Sequence, residues 1–459
     1  MGSKWIHAKL GDYIDSCLGK MLDQNKNTGI YHPYLANNNV RWGYFDLSSL
    51  PQMKFEENEL KKYEINVGDL IICEGGSEPG RCALWDGEIS NMKIQKALHR
   101  VRAKNGLKTE YLYYWFNYAW TKGSLDAYFT GTAIKHLTGK AIAQLPIEIP
   151  PLHYQENCIT LLRSFDEKIK LNNAMNRILE NISKSLFKSW FVDFDPVIDN
   201  ALDAGNPIPE ALQSRAELRQ KVRNSSDFKP LPADIRALFP AEFEETELGW
   251  VPKGWITTSF NDLIELIGGG TPKTSVEEYW NGDIPWFSVV DAPNESDVYV
   301  LTTEKNITTE GLNNSSAKLL RKGTTIISAR GTVGKCAMVA VPMAMNQSCY
   351  GVIGKTNISD EYVYFQLKNA VQTLQQMGHG SVFNTITRDT FKNIKVPFCN
   401  EELTNSYSLL VKNYFSKILN NNYQNIALTN LRDTLLPKLI SGELSLEDLP
   451  NLANQTEPA

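Results

Sequence analysis

From Trp5 the chain reads Trp-Ile-His-Ala-Lys-Leu-Gly-Asp, and from Trp255 it reads Trp-Ile-Thr-Thr-Ser-Phe-Asn-Asp. The echo continues in order. Val67-Gly68-Asp69-Leu70-Ile71-Ile72-Cys73 is answered by Lys322-Gly323-Thr324-Thr325-Ile326-Ile327-Ser328, and Pro79-Gly80-Arg81-Cys82-Ala83 by Val333-Gly334-Lys335-Cys336-Ala337. Tyr111–Asn117 matches Tyr362–Lys368, Gly131–Ile134 matches Gly380–Phe383, and Ile147–Pro150 matches Ile394–Pro397. The matches keep one order at nearly one offset, roughly 250 residues, which chance similarity between β-rich segments does not produce. A chain of 459 residues exceeds a single core, and this one is expected to build the same unit twice.

Short apolar runs after a Gly turn, Leu70–Cys73 and Thr325–Ser328, read as buried strands. Fewer helices are expected, around Glu110–Tyr118 and Asp360–Leu374. Each half is thus an α+β globule followed by a long helical pattern. In the first helix Leu162, Phe165 and Ile169 form one stripe, and Leu171, Met175, Ile178, Ile182 and Leu186 continue it after a phase slip. In the second, Leu403, Tyr407, Leu410 and Tyr414 lead to Ile418, Leu428, Leu431 and Leu435, with Pro437 expected to end or kink the helix. Steps of three and four predict a coiled-coil seam. The expected order is a globule over 1–151, a helix over 152–191, an exposed Pro-rich and acidic linker over 192–253 with a short helix at Pro209–Asn224, a globule over 254–398, a helix over 399–443 and a flexible tail over 444–459.

No apolar run approaches the length of a membrane helix, and the N-terminus lacks the zones of a signal peptide, so a cytoplasmic protein is expected. Seven scattered cysteines without a Cys-x-x-Cys pair argue against a disulfide framework or a zinc ribbon. The histidines show no ligand spacing, and Asp193, Asp195 and Asp199 read as a solvated acidic stretch rather than a metal cluster. An adenine methyltransferase needs Asn/Asp-Pro-Pro-aromatic, but Pro150-Pro151 is flanked by Ile149 and Leu152. A nucleotide motor needs Gly-x-x-x-x-Gly-Lys-Ser/Thr. Gly268–Thr274 has Pro272 at the second Gly position, and Gly331–Lys335 is too short. No catalytic role is expected for the chain alone.

Were a chain of this kind to meet DNA, it would need base-edge donors and acceptors together with phosphate cations. Candidates on turn-rich segments of the first globule are Lys20, Asn38, Asn39, Arg41, Arg81, Lys135 and His136. In the second they are Thr271, Lys273, Thr274, Arg330, Thr332, Lys335, Asn346 and Gln347. Arg81 and Lys335 share one repeat position after glycine, which suits a phosphate or guanine contact. The net charge of −5, taken alone, speaks against a nucleic-acid binder, which usually carries a surplus of Lys and Arg.

Several segments make the pattern specific: Leu238–Glu244, Glu247–Trp255, Ser189–Pro196 and Leu435–Glu443. So do the openings Gly268–Thr274 with Tyr279–Trp286, and Gly19–Leu22 with Asn37–Gly43. Together they resemble the specificity subunits of Type I restriction–modification enzymes over essentially the whole chain. The departure is His153-Tyr154-Gln155-Glu156, where that family usually has Glu-Gln. The resemblance implies two similar α+β target-recognition domains separated by two long antiparallel coiled-coil helices in a pseudo-twofold repeat. It implies a subunit that binds double-stranded DNA at a bipartite asymmetric site, one half per domain. Its partners would be two methyltransferase subunits, which methylate adenine, and motor-nuclease subunits. S-adenosylmethionine, ATP and Mg would sit only on those partners. The alternatives are a catalytic methyltransferase or endonuclease fusion, and a coiled-coil scaffold that never touches DNA.

Overall fold

A computed structural model describes residues 5–23, 27–293, 297–330, 333–377 and 385–446. The Gly380–Phe383 repeat segment and most of the expected tail lie outside them. The chain divides into two compact units, Met1–Ile169 with Ile426–Ala459, and Lys170–Asn425. Each holds one globule and a length of both long helices.

In the first unit an antiparallel sheet runs in the order Ile14–Leu18, Leu98–Ala103, Leu70–Cys73, Cys82–Leu84. Leu70, Ile71, Ile72 and Cys73 are fully buried, as an apolar run between two neighbours should be. Gly68 turns the chain into that strand at φ +88°. The helix Thr109–Thr121 covers the sheet with Tyr111, Leu112 and Phe116. Ile6–Lys9 pairs with Pro146–Ile149, so the start and end of the globule close on each other.

The second unit repeats this plan. Ile264–Gly268, Cys349–Gly354, Thr325–Ser328 and Cys336–Val339 follow in the same order, extended by Tyr299–Val300. Asp360–Met377 is the covering helix, and Ile256–Ser259 pairs with Lys395–Phe398. The fold is α+β, built twice, with the long helices Leu152–Phe191 and Glu401–Ile440 as the predicted connecting elements.

Those helices pair antiparallel within each unit. In the first, Asp166 meets Arg432 at 2.7 Å, and the Tyr154 hydroxyl donates to the Leu439 and Leu444 carbonyls. In the second, Tyr407 donates to the Ser183 carbonyl, and Phe187, Trp190 and Phe191 cluster with Tyr407.

The predicted seam is corrected here. Leu171, Met175, Ile178 and Ile182 are exposed. The buried stripe is instead Cys158, Leu162, Asn172, Asn176, Glu180, Ser183, Phe187 and Trp190, which runs without a slip. Asparagines occupy the seam and bond to each other across it. Asn172 Nδ2 donates to Asn425 Oδ1 at 2.8 Å, and Asn421 Nδ2 donates to Asn176 Oδ1 at 2.8 Å. Asn172 and Asn421 are repeat mates, as are Asn176 and Asn425, so the two bonds are images of one another. Pro437 does not end the helix. It falls in the last turn, and Leu436, Leu439 and Ile440 stay buried.

The linker expected to be exposed is folded, and its short helix, expected at Pro209–Asn224, spans Gln213–Arg223. Helices Asp195–Ala204 and Gln213–Arg223 run side by side, joined by Asp195–Arg215, Asp199–Arg219 and Asp203–Arg223 pairs. Phe243–Thr246 pairs with Gly249–Pro252. Phe194, Val197, Phe239 and Val251 are buried. Asp195 and Asp199 are therefore not solvated: they are buried acids held by arginine forks.

Candidate nucleic-acid interface

One junction of loops is built in both globules. Its first part is a glycine at the end of a strand. A Cβ on Gly19 would lie 2.3 Å from the Gln95 carbonyl oxygen, and one on Gly269 would lie 1.9 Å from that of Asn346. Only glycine lets the strand end touch the turn behind it.

That turn is the second part. Leu98 N–H donates to the Gln95 carbonyl, and Cys349 N–H to that of Asn346. Each turn follows a short strand running parallel to a neighbour, Lys93-Ile94 beside Tyr34-Leu35 and Ala344-Met345 beside Trp286-Phe287. Gln95 N–H donates to Leu35 O, and Asn346 N–H to Phe287 O.

The third part is the loop after the central strand. Glu74 N–H donates to Ala97 O and Ala329 N–H to Ser348 O, so each loop is tied to its turn. The fourth is an arm from the far side. Leu137 N–H donates to Glu74 O, and Ile386 N–H to Ala329 O. In the first globule this arm is a closed hairpin, with Thr130 and His136 exchanging both backbone bonds and Gly131 at φ +93°. His99 is buried beneath it. Burial lowers its pKa to about 4 despite a hydrogen bond to the Leu137 backbone, so at pH 7 the ring is a neutral support.

The candidates divide sharply. Asn38 and Lys135 are exposed, with Lys135 resting on the Phe129 ring, and Arg41 is half-exposed near Asp46. His136 is half-buried against Gly75. Three others are structural. Lys20 is buried between the Lys54 carbonyl and Glu59, over the Phe55 ring. Asn39 is buried and bonds Ala36 N–H, Asp46 O and Ser49 O. Arg81 is buried, held by Glu78 at 2.9 Å and the Asn37 carbonyl at 3.0 Å. A loop position after glycine does not decide where a long side chain goes. The Asn37 carbonyl and Glu78 give Arg81 an inward partner, so its expected outward contact is corrected.

In the second globule Lys273, Thr274, Arg330, Lys335 and Gln347 are exposed. Thr271 donates to the Gln347 side-chain oxygen, which brings the glycine loop onto the turn. Asn346 Oδ1 accepts from Ser348 N–H at 3.0 Å. Thr332 lies outside the described residues. The junction also contains Gln95 and Lys96, the counterparts of Asn346 and Gln347, which sequence reasoning passed over. The signal was present: Met92-Lys93-Ile94-Gln95-Lys96 aligns with Met343-Ala344-Met345-Asn346-Gln347 at the offset of the rest of the repeat.

Among the described residues no group of His, Cys, Asp and Glu is placed to hold a metal, and no helix is long and apolar enough to cross a membrane. The junction is a polar, loop-built surface on a rigid sheet, the kind of surface that recognises a macromolecule.

Residues 2–181 and 252–430 match the family model described as the Type I restriction modification DNA specificity domain. The specificity subunit of the Type I restriction enzyme HindI from Haemophilus influenzae is 27% identical over 464 residues, covering 96% of this chain and 100% of that protein. The MjaIX specificity subunit from Methanocaldococcus jannaschii is 31% identical over 189 residues, 41% of this chain and 44% of that protein. The crystal structure of an S subunit from M. genitalium shares the fold, with a TM-score of 0.52 at 15% identity over 95% of this chain and 96% of that one. The chain belongs to the Type I restriction–modification specificity family. Its role is DNA sequence specificity, and it is a non-catalytic subunit.

Proposed function

We propose that the chain reads a bipartite, asymmetric DNA site, one half through the junction of residues 1–151 and the other through that of residues 254–398. The observation that carries this reading is one loop junction built twice with different side chains. Equal architecture gives two equivalent reading heads, and unequal residues give them different half-sites. The outward polar groups are Asn38, Arg41 and Lys135 in one head and Lys273, Thr274, Arg330, Lys335 and Gln347 in the other.

The chain acts in the cytoplasm with two methyltransferase subunits, which methylate adenine, and with motor-nuclease subunits. S-adenosylmethionine, ATP and Mg belong to those partners. Two observations support dependence on partners. The net charge of −5 leaves little electrostatic surplus for DNA. The exposed stripe Leu171, Met175, Ile178 and Ile182 gives a methyltransferase subunit an apolar helix face to cover.

The test is the methylated-site consensus of the chain co-expressed with its methyltransferase subunits. A two-part consensus with unlike halves is expected, and no methyl transfer by the purified chain alone. A single continuous consensus, or methylation by the isolated chain, would overturn the reading.

A further inference from the structure

We infer that Gln95 is a base-reading residue of the first domain and that its carboxamide reads an adenine. The inference rests on the specificity reading above and goes beyond it by assigning one residue and one base.

Four observations place Gln95 where Asn346 stands in the second domain. Both residues open a turn closed by the same backbone bond, from Leu98 N–H to Gln95 O and from Cys349 N–H to Asn346 O. Both receive the chain from a strand that runs parallel to its neighbour. Both carbonyls lie under a strand-end glycine, Gly19 or Gly269. Both turns bond to the loop after the central strand, through Ala97 O or Ser348 O. Each residue is half-exposed, so its side chain is neither core nor free tip.

The two carboxamides are not equally free. The Asn346 oxygen accepts from Ser348 N–H, which leaves its amide as a donor to an incoming base. No hydrogen bond of the Gln95 side chain occurs among the described residues, so oxygen and amide are both available. A free carboxamide matches the N7 acceptor and N6 donor that adenine presents in the major groove, a pair no other base offers in that order. Lys96, exposed at the next position, supplies a cation for the neighbouring phosphate.

The experiment compares methylated-site consensus sequences of the wild-type complex, Gln95→Ala, Gln95→Glu and Gln95→Asn, each co-expressed with the methyltransferase subunits. Gln95→Ala is expected to relax one adenine position of one half-site by about 10- to 100-fold, with the other half-site unchanged. Gln95→Glu, an acceptor only, is expected to move that position toward cytosine. Gln95→Asn keeps the chemistry with a shorter reach, and retention of adenine at lower efficiency supports the assignment. Circular dichroism melts of each variant report whether the turn has held. An unchanged variant consensus beside an intact wild-type one overturns the assignment alone, as does an equal loss at every position. A wild-type complex with no two-part consensus overturns the specificity reading, and this assignment with it.

Discussion

The first recognition domain buries four of its cations, and the second buries none among its described residues. Lys20, Arg81, Lys93 and Arg100 are all buried in the first. Each has a partner there: Glu59 for Lys20, Glu78 for Arg81, Glu64 for Lys93, and the Lys62 and Glu64 carbonyls for Arg100. Among the described residues of the second domain no lysine or arginine is buried, and Lys273, Arg330 and Lys335 stand exposed around the reading junction. Two copies of one fold therefore use the same residue types for opposite purposes. In the first, four buried cations tie loops to the sheet, and Asn38, Arg41, Gln95, Lys96 and Lys135 remain for the surface. In the second, loops are held by contacts such as Thr271 to Gln347 and the Asp291 carboxylate to Ser288 and Glu304, and no lysine or arginine of its described residues is spent inside.

The Arg81 and Lys335 positions give the sharpest way to break this comparison, because they are repeat mates. Arg81→Ala removes a buried guanidinium and its bonds to the Asn37 carbonyl and to Glu78, a part-exposed carboxylate that keeps its bond from Trp42. It is expected to cost about 1.5 kcal/mol of stability in chemical denaturation. Lys335→Ala is expected to stay within about 0.5 kcal/mol. Equal losses would erase the distinction between the domains.

A comparable effect is expected at Lys20. Burial tends to raise the Glu59 pKa, but hydrogen bonds from Lys20 and the Glu56 backbone outweigh it, and the carboxyl lies below its ordinary value. The sign follows: a carboxyl held lower in the folded state stabilises the fold above its unfolded pKa. That contribution fades as pH falls through the folded value. Lys20→Met is expected to cost about 2 kcal/mol near neutral pH and to flatten the acid limb below about pH 4. Melting temperature against pH for both proteins measures it. A parallel acid limb in the variant would show that the pair is not what holds the first domain's loop.

The smallest effect per residue belongs to the exposed cations. Lys273→Ala, Arg330→Ala and Lys335→Ala are each expected to weaken DNA binding by the assembled complex and to reduce the salt slope by about 1. Arg81→Ala should leave the slope unchanged. Titration of DNA binding over a range of salt concentrations decides it. A slope that falls as much for Arg81 as for Lys335 would place both side chains on phosphate.

Much of the molecule was legible as a string of residues. The paired Gly-Asp-Leu-Ile-Ile and Gly-Thr-Thr-Ile-Ile runs, the closing strands at Ile147–Pro150 and Ile394–Pro397, and the apolar steps of three and four set out two globules and two long helices. Strand burial and helix length depend on local periodicity, which a sequence carries directly. What it did not carry was the environment of individual side chains. The Leu171, Met175, Ile178 and Ile182 stripe looks like a seam by composition. Yet the face that is buried is the one that carries Asn172 and Asn176, which bond to asparagines of the facing helix. Asp195 and Asp199 look solvated until Arg215 and Arg219 arrive from 20 residues away. Arg81 looks outward until the Asn37 carbonyl, 44 residues off, takes its guanidinium. Gln95 gains meaning only when Gly19 and Glu74 close around its turn. Fold class and repeat follow from patterns within one segment, whereas the direction of each polar side chain depends on which distant backbone group completes its hydrogen bonds, and only the tertiary structure supplies that group.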